Sequence, residues 1–177
     1  MRTTIDTAGS PASLAEFEAL VREYVASLPF SLDFQDTDAE LADLAREYGP
    51  PGGRALLARV RDAAVGCVGI RRLEPHVAEL KRMFVQPHSR SHGVGRALAG
   101  AALRAAVELG YERVRLDTTA EMVGAIRIYE GLGFAPIAAY RHNPLEGARY
   151  FEVRLEAVPG TLRPASPPRP DPEAPQR

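Results

Sequence analysis

The stretch that decides the fold covers residues 80–98 and reads LKRMFVQPHSRSHGVGRAL. It begins with the apolar bulk of a β-strand, and Pro87 ends that strand because proline has no N–H to donate to a ladder. A short polar loop follows, and Gly93 and Gly95 then introduce a helix. A strand, a glycine-rich turn and a helix N-terminus together form a common pyrophosphate-binding unit, since backbone N–H groups and the helix dipole face the anion.

Two helices are predicted upstream of this stretch. A short strand at 1–6 leads into an apolar helical pattern, for which we expect Ser13 to be the N-cap, with Glu16 at the capping-box spacing. A second helix is predicted over about 37–48. The glycine- and proline-rich segment 49–53 then predicts a loop.

Three strands follow this loop and predict an antiparallel meander. They cover residues 54–60, 63–71 and 76–85, and the first two are joined by a tight turn at Arg61-Asp62. Strict alternation along the third strand predicts that Lys81 and Phe84 lie on opposite faces of the sheet.

The remaining elements complete a mixed sheet. A helix is predicted over 94–109, and the strand after it, at 113–118, is expected to run parallel to the strand before the helix. A shorter helix at 122–132 and two strands at 134–138 and 150–155 follow. The sequence therefore predicts an α/β (α+β) fold, with a central sheet of six to seven strands flanked by about four helices.

Composition and charge limit the classes of function. The 177-residue chain is 45% hydrophobic and 25% charged, with a formal net charge of −1, as in an ordinary globular domain. Nucleic acid is not expected as a partner, because such binders need a strong basic patch. Two adjacent basic pairs are interpreted instead as solvated faces: Arg71-Arg72 and Lys81-Arg82. The single cysteine, Cys67, lies in an apolar run and is interpreted as a buried small hydrophobe rather than a nucleophile.

The chain is expected to form one domain over 1–157, followed by a disordered tail over 158–177. The tail is rich in proline and polar residues, so it cannot bury enough apolar surface to offset its ordering entropy. No apolar run approaches the roughly 18 residues of a membrane span, and the N-terminus lacks the apolar core of a signal peptide. We therefore expect a cytoplasmic protein with no membrane association.

Two motifs carry a resemblance to a known family. Residues 90–95 read RSHGVG and fit the pattern R-x-x-G-x-G/A, and residues 125–134 read AIRIYEGLGF and fit A-x-x-x-Y-x-x-x-G-F. In this order and spacing they resemble the motifs of the GCN5-related N-acetyltransferase (GNAT) family. The segments ELKRMFV at 79–85 and YRHNPLEG at 140–147 are similar to bacterial small-substrate members. The resemblance covers about 5–157 and implies the GNAT acyl-CoA N-acyltransferase fold.

The resemblance implies that acetyl-CoA is the cosubstrate. Backbone N–H groups at 91–96 are expected to face the pyrophosphate, and the pantetheine arm is expected to pair with the strand before the turn, from which the next strand splays away. The predicted cosubstrate-binding residues are Met83, Phe84, Val85, Arg90, Ser91, His92, Gly93, Val94, Gly95 and Arg96. No metal is expected, because the four histidines show neither H-x-x-x-H spacing nor an acidic companion.

Two side chains are candidates for catalysis by direct attack within a ternary complex. Tyr129 matches the family's tyrosine and is predicted to protonate the departing thiolate. Glu79 is the candidate general base. It is equally interpreted as a cross-strand partner of a basic residue, and a water chain to backbone groups could replace it as the base.

The acceptor is the least constrained part of the prediction. The resemblance implies N-acetylation of a primary amine, and we expect a small polar or amino-acid-like acceptor beside Phe30, Phe34, Tyr140 and Asn143. The chain is expected to be a monomer or a homodimer. An alternative function is a non-catalytic acyl-CoA sensor or interaction module on the same fold. A dinucleotide site is disfavoured, because Leu98 stands where that motif needs glycine or alanine.

Overall fold

A mixed seven-stranded sheet with strand order β1-β2-β3-β4-β5-β7-β6 forms the centre of the protein. The structure is a computed structural model that describes residues 3–30, 37–90 and 92–157. Its strands are β1 (Thr3–Thr7), β2 (Arg54–Val60), β3 (Ala63–Glu74), β4 (Val77–Val85), β5 (Arg113–Thr119), β6 (Ala135–Ile137) and β7 (Ala148–Arg154). Its α-helices are α1 (Pro11–Ala26), α2 (Thr37–Ala42), α3 (Leu44–Tyr48), α4 (Val94–Glu108) and α5 (Val123–Glu130). Phe34, Ser91 and the predicted tail at 158–177 lie outside the described residues.

The order and pairing of the elements confirm the predicted fold class. Strands β2, β3 and β4 pair antiparallel in sequence order, so the predicted meander is present. Strands β4 and β5 are parallel, as expected for two strands joined by a helix. The sheet has seven strands, within the predicted range, and the described segments hold five α-helices where about four were predicted. None of these helices is long and apolar enough to cross a lipid bilayer.

The additional helix and one helix start correct the predictions. Helix α1 is capped by Ser10, not by Ser13: the Ser10 hydroxyl accepts from the Ser13 N–H at 3.2 Å, and the Ser13 hydroxyl accepts from the Ser10 N–H at 3.0 Å. Pro11 thus takes the first helical position, where its missing N–H costs nothing. The helix predicted over 37–48 is two helices, because Asp43 leaves the helical conformation and its carboxylate caps α3.

Apolar side chains pack against both faces of the sheet. One core lies between the sheet and helices α4 and α5, and Leu80 and Leu98 belong to it. The second core lies on the other face, against α1 and α3, and contains Phe17 and Cys67. Cys67 is fully buried and its thiol lies 3.3 Å from the Arg82 carbonyl oxygen, which confirms its interpretation as a core residue.

A β-bulge interrupts β4 and overturns the predicted alternation. Gly69 of β3 pairs with Lys81 and Cys67 pairs with Phe84, so two residues of β4 stand opposite one residue of β3. Arg82, within the bulge, has a φ of 56°, a left-handed conformation that is uncommon for a non-glycine residue. Because the bulge adds one residue, Lys81 and Phe84 lie on the same face, not on opposite faces.

The bulge is fixed by a buried ion pair. The Arg82 guanidinium donates to both oxygens of Glu40 in α2, each at 2.8 Å, and the Tyr48 hydroxyl donates to the same carboxylate at 2.6 Å. Lys81 and Arg82 are only 6% and 4% exposed, so their interpretation as a solvated pair is wrong. A buried charge is tolerated here because it is paired with a carboxylate through two hydrogen bonds.

Substitution of Gly69 by alanine tests the packing around β3. A Cβ at this position would overlap the ring of Tyr48, so we expect Gly69→Ala to lower the free energy of unfolding by about 1–3 kcal/mol. The matched control is Gly100→Ala in α4, where the nearest atom would be a terminal nitrogen of Arg104 at 3.6 Å. There alanine should be neutral or stabilising by up to about 1 kcal/mol. Urea unfolding measures both, and equal stabilities of the two variants would contradict this account.

Candidate active site

Strands β4 and β5 separate part-way along their length. They pair only from Val77–Arg113 to Glu79–Arg115, although β4 continues to Val85 and β5 to Thr119. The predicted splay is therefore present, and it leaves the facing backbone edges of both strands without a ladder between them. A cavity of about 70 Å³ lies in this opening and is called the splay cavity below.

Strands, helices and a loop all contribute to the wall of the splay cavity. Strand β4 supplies residues 80–83 and β5 supplies residues 117–119. Four of the residues predicted from the sequence also line it: Phe30, Met83, Tyr129 and Asn143. The structure thus brings together the predicted acid, one predicted donor-strand residue and two predicted acceptor residues.

Tyr129 reaches the splay cavity from α5. It is 5% exposed, and its ring lies 5.6 Å from the ring of Phe134. Burial raises the pKa of its hydroxyl above the ordinary value of 10.0. The hydroxyl therefore stays protonated at neutral pH and can act as a hydrogen-bond donor.

Thr119 places a second hydroxyl at the splay cavity. The residue is 6% exposed, and within the described part of the chain its oxygen is the one buried side-chain N or O atom with no hydrogen-bond partner. Buried polar atoms are almost always paired, so an unpaired one needs an explanation. A ligand group in the cavity would supply the missing partner.

Glu79 precedes the part of β4 that lines the splay cavity and lies at the centre of a set of polar contacts. Its carboxylate accepts from Arg71 at 3.0 Å, from Arg141 at 2.7 Å and from the Tyr140 hydroxyl at 2.9 Å. The residue is 1% exposed. Arg71 is also its partner in the β3–β4 register, so the cross-strand pairing considered from the sequence is present. A role as general base stays a prediction.

The contacts of Glu79 continue to the wall of the splay cavity. Arg141 also forms an ion pair with Asp117, and the Asn143 amide donates to the other oxygen of Asp117 at 2.8 Å. We call Arg71, Glu79, Arg141, Asp117 and Asn143 the charged array. It joins β3, β4 and β5 to the loop between β6 and β7, and thereby holds that loop against the sheet.

Lys81 adds a cationic group beside the charged array. It lines the splay cavity, and burial lowers its pKa to about 8, against the opposing effect of the Glu79 carboxylate. At pH 7 the ammonium group is therefore still protonated in most molecules. The splay cavity therefore carries a positive charge from Lys81 as well as the negative charge of Asp117.

The predicted phosphate turn begins α4 as expected. Gly93 is the N-cap with a φ of 75°, and the first backbone hydrogen bond of the helix runs from the Ala97 N–H to the Gly93 carbonyl at 2.9 Å. The N–H groups of residues 94–96 precede that bond, and no side chain in the described part of the chain caps them. No atom of the described residues lies within 4 Å of the place where a Cβ of Gly93 would stand, so these residues leave the space beside the turn open.

The predicted side chains around the turn contact the backbone. Arg90 donates to the Val85 carbonyl at 2.9 Å and lies 5.9 Å from the centre of the Phe84 ring. A ring nitrogen of His92 lies 2.7 Å from the Arg90 carbonyl oxygen. Arg96 donates to the Gly131 carbonyl at 3.1 Å and so ties α4 to the end of α5. Both arginines help to hold the turn in place.

Gly95 permits a close approach between two helices. A Cβ at this position would stand 3.0 Å from Cδ1 of Ile128 in α5. Glycine therefore lets the N-terminus of α4 pack against the helix that carries Tyr129. This contact between the two motifs was not predicted.

Comparison with known proteins shows which family the chain belongs to. Residues 17–134 match the family model described as the acetyltransferase (GNAT) family. The chain belongs to the GNAT acetyltransferase family. An uncharacterized N-acetyltransferase from Schizosaccharomyces pombe is 36% identical over 147 residues, which are 82% of this chain and 90% of that protein. Human N-acetylaspartate synthetase is 37% identical over 133 residues, which are 70% of this chain but only 44% of that protein.

Solved GNAT structures share the fold. A GNAT-family acetyltransferase from Staphylococcus aureus has a TM-score of 0.71 at 21% identity, over 87% of this chain and 99% of that one. The PaiA N-acetyltransferase from Thermoplasma acidophilum, in complex with coenzyme A, has a TM-score of 0.67 at 16% identity, over 87% and 99%. The predictions of the GNAT fold and of an N-acetyltransferase are therefore confirmed at the level of the family.

Several residues of this GNAT site were not predicted as site residues. Asp117 and Thr119 belong to the polar run DTT that ends β5, a signal that could have marked this end of the strand as functional. The pairing of Glu40 with Arg82 has no signal in the sequence, because the two residues are 42 positions apart. Across 3–30, 37–90 and 92–157, no group of three or more His, Cys, Asp or Glu side chains is placed to hold a metal ion.

Proposed function

We propose that this protein transfers the acetyl group of acetyl-CoA to the primary amine of a small polar or amino-acid-like acceptor, by direct attack in a ternary complex. Family membership supports the type of reaction. The single observation that carries the proposal is the splay cavity, which is lined by the open strand β4, the Tyr129 side chain and the unpaired Thr119 hydroxyl.

The donor is proposed to lie along β4 and the start of α4. The open edge of residues 80–85 offers backbone groups to the two amides of pantetheine, in the manner of an added strand. The free N–H groups at 94–96 and the positive end of the helix suit the pyrophosphate. Ser91, His92 and the arginines at 90 and 96 complete the proposed site, and the coenzyme A complex of the Thermoplasma protein supports the same donor here.

The proposed reaction begins with an acceptor that loses one proton, so that its neutral amine attacks the thioester carbonyl carbon. A C–N bond forms, and the oxyanion is stabilised by a backbone N–H within residues 83–85. The nitrogen then loses a second proton, the C–S bond breaks, and the sulfur takes the proton of the Tyr129 hydroxyl, which solvent restores. The balance is one amide, one thiol and one released proton for each ammonium acceptor.

Glu79 is proposed as the base, directly or through a water molecule. Its carboxylate already accepts hydrogen bonds from two arginines and from Tyr140, so its oxygens are occupied by these donors. A base role therefore requires that acceptor binding displaces at least one of them.

The acceptor is proposed to be small, because the splay cavity itself is small and polar groups surround it. Phe30 and Asn143, which line the splay cavity, are proposed to contact the acceptor, and Tyr140 and Phe34 are proposed with them from the sequence. The name of the human relative, N-acetylaspartate synthetase, indicates an amino acid product in that protein and supports an amino-acid-like acceptor here.

A panel of amines tests the proposed function. Purified protein is mixed with acetyl-CoA and with amino acids, polyamines, aminoglycosides or peptides, and the released thiol is measured. We expect saturable thiol release with small amino-acid-like amines, together with a mass increase of one acetyl group on the acceptor. Acetylation confined to protein N-termini or histone-like peptides would contradict the proposed acceptor class. Coenzyme A binding without turnover across the panel would favour a sensor.

A further inference from the structure

Lys81 is the only lysine in the 177-residue chain, and the other 21 of its 22 lysine and arginine residues are arginines. An arginine side chain stays protonated at every physiological pH and is not a nucleophile, whereas a lysine that loses its proton is a primary amine. The proposed reaction acetylates a primary amine. One side chain of this protein therefore belongs to the same chemical class as the proposed acceptor.

Lys81 lies at the splay cavity together with the proposed acid. Both residues line this cavity, and Lys81 is 6% exposed while Tyr129 is 5% exposed. A cavity of about 70 Å³ is only a few ångströms across, so an acetyl group bound in it lies close to the residues that line it. Because the thioester is proposed to lie here, Lys81 is held beside it at a high effective concentration.

The surroundings of Lys81 favour its neutral form. Burial lowers its pKa to about 8, against the opposing effect of the Glu79 carboxylate. Three guanidinium groups add to the lowering, and they belong to Arg141, Arg82 and Arg71. At pH 8 about half of the molecules therefore carry the neutral amine that nucleophilic attack requires.

Other nucleophilic side chains are less suited to attack a thioester in this cavity. Tyr24 and Tyr129 also line it, but burial raises the pKa of both hydroxyls, so both stay protonated at neutral pH. Cys67 lies in the core against α1, outside the lining of the cavity, and burial raises the pKa of its thiol. Threonine hydroxyls are weak nucleophiles without an adjacent base. Among the described residues that line the cavity, Lys81 is therefore the strongest nucleophile.

We propose that Lys81 is a self-acetylation site, whose Nζ takes the acetyl group of acetyl-CoA when no acceptor amine occupies the splay cavity. This inference rests on the proposed transferase function. The neutral Nζ attacks the thioester carbonyl carbon, and a C–N bond forms as the C–S bond breaks. The proton that Nζ loses balances the proton that the coenzyme A sulfur gains.

Acetylation of Lys81 changes the splay cavity in two ways. A neutral amide replaces a buried ammonium group, which removes the cost of holding that charge away from water. The added acetyl group also fills part of the space proposed for the acceptor. Preincubation with acetyl-CoA should therefore lower the initial rate toward an external amine in proportion to the fraction acetylated. An unchanged rate in the acetylated protein would contradict a position of this group in the splay cavity.

Mass spectrometry tests the proposed modification directly. The purified protein is incubated with acetyl-CoA and no added amine, and its intact mass and peptide fragments are measured. We expect close to one acetyl group per chain, located on residue 81, together with one released thiol. An acetyl group already present on residue 81 of the purified protein would also support the proposal. Lys81→Arg keeps the positive charge, and it should show no acetylation at this position.

Two controls separate catalysed self-acetylation from the slow chemical acetylation of any lysine. Arg104→Lys introduces a second lysine at an exposed position of α4, outside the lining of the splay cavity, and position 104 should stay unmodified. In urea-unfolded protein Lys81 is an ordinary exposed amine, and its acetylation should be at least about 100-fold slower than in the folded protein. Equal rates at positions 81 and 104, or in folded and unfolded protein, would overturn the proposal.

The same measurements separate a failure of this inference from a failure of the proposed function. Thiol release with external amines but no acetyl group on residue 81 would overturn self-acetylation and leave the transferase intact. Acetylation of residue 81 without turnover of any amine would support self-acetylation and contradict the proposed acceptor class. Absence of both would overturn the two proposals together.

Discussion

Replacing Tyr129 by phenylalanine is expected to lower kcat by about 100- to 1000-fold, the usual contribution of a positioned acid. The hydroxyl lies in the splay cavity, and it is the group proposed to donate a proton to the sulfur as the C–S bond breaks. KM for acetyl-CoA should change little, because the hydroxyl acts when the leaving group develops charge rather than in ground-state binding. Steady-state kinetics with the best acceptor from the amine panel measure both constants.

The stability of the Tyr129→Phe variant shows whether a loss of kcat comes from the missing hydroxyl or from a damaged fold. Within the described segments no residue hydrogen-bonds to the Tyr129 hydroxyl, so its removal leaves no buried donor or acceptor unpaired. The free energy of unfolding should therefore stay within about 1 kcal/mol of the wild-type value. Because burial raises the pKa of Tyr129, no loss of activity that depends on this hydroxyl is expected below pH 10.0. An unchanged kcat in a stable variant would remove Tyr129 from the mechanism.

Replacing Glu40 by glutamine is expected to produce the largest loss of stability, about 3–5 kcal/mol. The substitution leaves the Arg82 guanidinium, whose side chain is only 2% exposed, without the carboxylate that neutralises it. A domain of this size has a total stability of roughly 5–15 kcal/mol, so the loss is a large share of it. Chemical denaturation measures the difference. The matched control is Glu18→Gln, which breaks the exposed Glu18–Arg22 pair and should cost less than about 1 kcal/mol.

The same ion pair gives stability a predictable dependence on pH. Burial alone would raise the pKa of Glu40, but the hydrogen bonds and charge of Arg82 outweigh burial and lower it below the ordinary value of 4.5. A carboxyl with a lowered pKa in the folded state stabilises the fold above the unfolded value and loses that contribution as the pH falls through the folded value. Wild-type stability should therefore decrease below about pH 4.5, and Glu40→Gln should lack this part of the decrease. A variant as stable as the wild type at pH 7 would show that the pair contributes nothing net.

The sheet and the proposed acetyl-CoA side of the site could be predicted, because the sequence patterns that indicate them involve neighbouring residues. Strand β2 has the predicted limits, and the turn at Arg61-Asp62 and the start of α4 at Val94 are also as predicted. Each depends on neighbouring residues: alternation, a two-residue turn, or a glycine before a helix. The order of strands then follows from short connections and from the helix that joins β4 to β5.

The interior of the site could not be predicted because its contacts join distant segments. A bulge at Arg82 depends on Glu40 of α2, and nothing near either residue indicates the other. Without the bulge, simple alternation places Phe84 on the wrong face. The pairing of Glu79 with Arg141 depends likewise on a loop that returns over the sheet after two further strands and two helices.

The contact between Gly95 and Ile128 constrains how this chain can change over time. A methyl group at position 95 would stand 3.0 Å from Cδ1 of Ile128, and Tyr129 is the next residue along α5. A methyl group at 95 therefore requires the end of the Ile128 side chain to move by a few tenths of an ångström, and a larger side chain at 95 is expected to require a smaller one at 128. The two motifs are separate in the sequence but in contact in the fold. We therefore expect substitutions at positions 95 and 128 to occur together rather than independently.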